Sequence, residues 1–119
     1  THECDADQAF KQSYVDAREK DLMVIKSPVG LPGRALKNQF LMDVAAGNKH
    51  PFRCPYHCIK TCDPENSPYC IGMALASARR GKLKYGFAFA GANAFRVDKI
   101  VSVQELIGSL EAGYDLATA

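Results

Sequence analysis

Residues 22–46 read LMVIKSPVGLPGRALKNQFLMDVAA, and the fold class turns on how this stretch is divided. Leu22 to Ile25 is a short apolar run that suits a buried strand. Ser27-Pro28-Val29-Gly30-Leu31-Pro32-Gly33 reads as a loop, because two prolines and two glycines break helix and strand alike. From Arg34 to about Ala46, the spacing of Ala35, Phe40, Leu41 and Val44 predicts an amphipathic helix, stopped by Gly47. The stretch thus reads as strand, loop and helix in that order.

Upstream, Asp5 or Asp7 can cap a helix running to about Arg18, with Phe10, Tyr14 and Ala17 on one side. Downstream, Asn48 to Pro68 is irregular. Ser67 and Pro68 then open a third helix that runs to Arg80 and ends at Gly81, since proline at the first helical position loses no needed donor. Arg79, Arg80, Lys82 and Lys84 sit where cations favour a helix C-terminus, or where they could meet a phosphate. Tyr85 to Phe95, YGFAFAGANAF, reads as an apolar strand entering a glycine turn. Ser102-Val103-Gln104-Glu105 is a capping box for a last helix, whose buried face would be Leu106, Ile107 and Leu110. The tail from Gly113 is expected to fray.

Composition bounds the function. The 119 residues carry 15 Lys plus Arg against 13 Asp plus Glu, a formal charge of +2 that offers no field for nucleic acid or an anionic membrane. The longest uncharged stretch, Asn66 to Ala78, falls short of the roughly 20 residues that span a bilayer. Apolar content of 47% is that of a globular protein rather than a disordered one. The length is that of one domain, yet the chain opens at Thr1 without an initiator methionine, which suggests a piece of something longer. A reducing cytoplasm is the expected compartment, because five cysteines is an odd number without a secretory leader.

Four of those cysteines, Cys54, Cys58, Cys62 and Cys70, fall within seventeen residues. Were CPYHCIKTC a helical turn opening at Pro55, Cys58 and Cys62 would share a face with Cβ atoms about 5–6 Å apart. Cys70 would sit in the first turn of the next helix, where thiolate is favoured. Four thiolates could converge on zinc or on an iron–sulfur cluster, although the spacing matches neither usual pattern closely. His50 and His57 are near enough to replace a ligand. The alternatives are partly buried thiols and a redox dithiol. Cys4 stands apart as a free thiol.

VIKSPVGLPGRALKNQF, a cysteine-bearing insert, and GKLKYGFAFAGANAFRVDKIVSVQELI together resemble the C-terminal third of the 2-nitropropane dioxygenase family, nitronate monooxygenases and flavin-dependent enoyl-acyl carrier protein reductases among them. The resemblance implies an α/β fragment whose helices and short strands cap an FMN-binding (β/α)8 TIM barrel, the isolated chain being mainly α with minor β. It implies the last barrel helix over 1–20, a strand-loop-helix over 21–47, a cysteine-rich insert over 48–70, and helix, strand-turn and C-terminal helix over 71–119. Carried over by position, Gly30, Arg34 and Asn38, with Gly91, Ala92 and Asn93, would lie near the flavin at the barrel mouth. The family's active-site histidine and phosphate-binding glycine loops have no counterpart here, so no catalytic residue is assigned. The partners implied are the remainder of the barrel and a small-molecule substrate, and the oligomeric state is left open. The alternative reading is a Cys4 metal-stabilised module that binds a partner and has no activity of its own.

Overall fold

A computed structural model describes all residues, 1–119, as four helices and a two-stranded sheet, mainly α with minor β. Helix α1 (Gln8–Asp16) starts at Asp7, whose carboxylate accepts the Ala9 N–H at 2.8 Å, so one of the two expected caps is in use. Strand β1 (Leu22–Lys26) follows after a short 3-10 turn at Glu19–Asp21.

The first departure from expectation comes next. Pro32–Leu36 is not loop and helix start but strand β2, antiparallel to β1 with Leu22 opposite Leu36 and Lys26 opposite Pro32. Proline is tolerated there because it is the first residue of the strand. Pairing wins over the helical spacing because it buries Ala35 and Leu36. The helix begins only at α2 (Gln39–Ala45), where Asn38 is extended and its Oδ1 accepts the Leu41 N–H at 3.0 Å.

Helix α3 (Ile71–Arg79) also starts later than Pro68. Ser67 is turned away from a capping role, donating its hydroxyl to the Tyr69 carbonyl, so Cys70 sits at the cap rather than inside the first turn. The apolar run from Tyr85 is entered through a 3-10 turn at Leu83–Tyr85 and has only one bridge, Ala35 with Phe89. Two hydrogen bonds flank that bridge, Leu36 N–H to Ala88 O and Ala90 N–H to Arg34 O, both 3.0 Å. Helix α4 (Val103–Thr118) has the expected cap, with Glu105 N–H on Ser102 Oγ at 3.1 Å, and it continues past Gly113 without fraying.

The core is a sandwich of β2, α2 and α3 closed by the Gly86–Ala88 segment. Ile25, Ala35, Phe40, Leu41, Tyr69, Ala74 and Phe87 form it, with the rings of Phe40, Tyr69 and Phe87 mutually 5.1–6.1 Å apart. Gly86 makes this closure possible. A Cβ there would strike the Ala74 carbonyl oxygen and lie 2.8 Å from the Ala74 carbon, so α3 and this segment touch backbone to backbone. A second, smaller cluster joins Ala17, Leu36 and Ala88 to Phe10 and Tyr14, which is the face expected of α1. By contrast no residue of α4 is buried; the face expected to be interior leaves Leu106, Ile107 and Leu110 in solvent. No helix is long and apolar enough to cross a membrane.

Candidate functional site

Pairing of β2 with the Ala88–Ala90 segment decides which expected site residues meet. Arg34 accepts from Ala90 N–H through its backbone carbonyl, which brings its backbone beside the residue before the turn that begins at Gly91, and the residue is exposed. Gly91, Ala92 and Asn93 form that turn, closed by Ala94 N–H to Gly91 O at 3.1 Å. All three are exposed, and their own N–H groups donate to nothing within the chain. Arg34 makes no ion pair; the one salt bridge joins Arg79 to Asp5 on the surface. An unpaired guanidinium and three free N–H groups are each donors suited to a carbonyl or phosphate oxygen.

Gly30 lies at the far end of the β1–β2 hairpin in the left-handed region, φ 106°, with open space around it. It needs to be glycine for conformation rather than for room. Asn38 is fully engaged inside the molecule. Its Oδ1 caps α2, and its Nδ2 donates to Gly86 O at 2.8 Å and to Leu83 O at 3.4 Å. The side chain therefore holds α2 to the segment that closes the core.

The cysteine segment does not form the expected helical turn. His57 adopts a positive φ of 43°, which reverses the chain before Cys58 and leaves Cys58 exposed. His57 instead ties two cysteines together: its N–H donates to Cys54 Sγ at 3.3 Å and its ring Nε2 meets Cys62 O at 2.8 Å. Burial pushes the Cys62 thiol up, and Cys54, Cys70 and Cys58 push it further in that order, so four sulfurs share one neighbourhood. Yet no group of three or more His, Cys, Asp or Glu side chains is placed to hold a metal ion. The expected zinc or iron–sulfur site at Cys54, Cys58, Cys62 and Cys70 thus has no assembled ligand set, and His50 does not supply one. The His50 ring is stacked on Phe40 at 4.6 Å, with its Nε2 buried and without a partner.

Two features escaped the sequence reading. Asp63 organises the turn after the cysteines, accepting from the Asn66 side chain at 2.8 Å and from the backbone of Glu65 and Asn66, and these bonds hold its carboxyl below the usual range. Thr61 Oγ1 donates to Val29 O at 2.6 Å, fastening the cysteine segment to the loop that carries Gly30. Together they frame an open polar cleft of about 570 Å³ between Lys26–Gly30 and Thr61–Pro68.

No curated protein matches the chain. The family model of nitronate monooxygenase matches residues 1–113, nearly the whole sequence, and covers both the Arg34–Asn93 region and the cysteine segment. The chain belongs to the nitronate monooxygenase family.

Proposed function

We propose that the chain is the C-terminal part of an FMN-dependent oxidoreductase of the nitronate monooxygenase type, packed against a flavin barrel with its Arg34 and Gly91–Asn93 edge toward the cofactor. The observation that carries this reading is the family match over residues 1–113. The structure is compatible in two ways. Arg34, which makes no ion pair, and the free N–H groups of Gly91, Ala92 and Asn93 are donors that suit an FMN oxygen. The apolar face of α4 is available for a further packing surface.

FMN, when bound, would take electrons from substrate and pass them to an acceptor. The residues of this chain would position and polarise: Arg34 supplies charge and a planar donor fork, and the Gly91–Asn93 turn supplies fixed N–H dipoles. Asn38 contributes indirectly, by holding the closing segment that leads into this turn. None of these groups transfers a proton, which is why the chemistry belongs to the barrel and its cofactor. The test is flavin content and nitronate-dependent oxygen uptake in the native full-length protein. Stoichiometric FMN is expected there, with Arg34→Ala weakening flavin retention by about tenfold or more, the loss of one charged hydrogen bond. Native protein without flavin, or the 119-residue chain alone holding stoichiometric FMN, would overturn the proposal.

A further inference from the structure

The four clustered sulfurs have no role in the flavin reading, and no metal-binding group takes them up. What the structure does show is a clamp. His57 donates its backbone N–H to the Cys54 sulfur and meets the main-chain carbonyl of Cys62 through its ring, so these two cysteines, eight positions apart, are residues that one histidine ties together. The N–H donated by His57 holds the Cys54 sulfur in place. Cys54 and Cys62 are both partly accessible, and the segment between them contains no helix or strand to resist a small approach. Cys58, although nearer in sequence to either, is turned outward by the left-handed His57.

We propose that Cys54 and Cys62 form an oxidisable dithiol that closes to an intramolecular disulfide under peroxide. The Cys54 thiolate attacks one peroxide oxygen, the O–O bond breaks, and the departing hydroxide takes up the proton that Cys54 had released. The Cys62 sulfur then attacks the resulting sulfenic acid. An S–S bond forms, the S–O bond breaks, and the leaving hydroxyl departs as water with the Cys62 proton. Two thiols are oxidised by two electrons, and hydrogen peroxide is reduced to two waters. Because Thr61 precedes Cys62 and is bonded to Val29 O, closure would fix the segment against the Gly30 loop. The inference does not rest on the flavin reading and stands or falls without it.

Trypsin makes the test direct. Cleavage after Arg53, Lys60 and Arg79 puts Cys54 and Cys58 on one peptide and Cys62 and Cys70 on another. The reduced full chain is exposed to hydrogen peroxide, its remaining thiols are alkylated, and its peptides are weighed. A linked pair of these two peptides is expected, lighter than their sum by two hydrogens and separated by a reductant. It persists in Cys58→Ser and Cys70→Ser and is lost in Cys54→Ser and Cys62→Ser, with circular dichroism confirming that each variant is folded. On the unmutated chain, fragmentation of the linked pair places the bond independently of any variant. A bond mapped to Cys58 or Cys70, no linked pair at all, or stoichiometric zinc or iron in anaerobically purified protein with its thiols protected until chelation would overturn the proposal.

Discussion

Replacing Gly86 by alanine tests the closure of the core. The added Cβ would collide with the Ala74 carbonyl oxygen, lie 2.8 Å from the Ala74 carbon and stand 3.1 Å from the Ala78 nitrogen. All three atoms belong to α3 backbone, so no side-chain rotation relieves the overlap. The segment must withdraw, which loosens Phe87, fully buried, and the Asn38 Nδ2 bond to Gly86 O. Overpacking of this kind costs about 1–3 kcal/mol, and losing the hydrogen bond adds about 1, for a total near 3 kcal/mol. With a urea slope of about 1.5 kcal/mol per molar, the unfolding midpoint should fall by about 2 M at unchanged slope. The chain has no tryptophan, so helix ellipticity is the natural signal. Gly91→Ala is the matched control: a Cβ there meets nothing within 4 Å, and a shift within about 0.5 kcal/mol is expected. A Gly86→Ala midpoint within about 0.3 M of the parent, or an equal fall in both variants, would refute the backbone-contact argument.

Asn38→Asp keeps an acceptor for Leu41 N–H but loses both donated bonds, whereas Asn38→Ala loses all three. The alanine variant should therefore be less stable than the aspartate one by about 1 kcal/mol, measured by urea unfolding, and a reversed order would deny Asn38 its capping role. Burial pushes the Tyr69 phenol up to about 12 from 10.0, so the folded state favours the neutral form. Stability from this source is complete below pH 10 and is lost as pH rises from 10 toward 12, by at most roughly 2–3 kcal/mol. Tyr69→Phe should flatten that alkaline fall in thermal melts; an identical pH slope in both proteins would rule Tyr69 out as its cause.

Elements whose signals are local were legible in the sequence. The Asp7 and Ser102 caps declare α1 and α4 within four residues each, and both helices start where those residues say. Strand β2 was not legible, because Pro32-Gly33 carries loop chemistry and Ala35 and Leu36 fit a helical spacing equally well. Its strand character comes from partners that sequence reading cannot see: Leu22 to Lys26 on one edge and Phe89 on the other. That single misreading displaced the α2 start by five residues. The signal for the helix start was present at Asn38, an N-cap type separated only by Gln39 from the apolar Phe40 and Leu41.

The candidate site divides along the same line. Arg34 and Gly91–Asn93 could be named from sequence, but their adjacency follows from the β2 pairing alone. In the cysteine segment, a positive φ is uncommon at any residue but glycine, so neither the exposure of Cys58 nor the ties of His57 to Cys54 and Cys62 could be foreseen. For α4 the reverse holds. Ser102 caps the helix on Glu105 N–H while Glu3 accepts the Val103 N–H at 2.9 Å, and Leu106, Ile107, Leu110 and Tyr114 then recur at three- and four-residue intervals along one stripe. Within the chain that stripe is only partly covered, Leu110 being 61% exposed. Because the helix is anchored at its start, by Ser102 and by the bonds of Glu3 and His2 to Val103 and Val101, its apolar stripe is free to serve another surface. The proposed flavin barrel is the surface that would give the stripe its purpose.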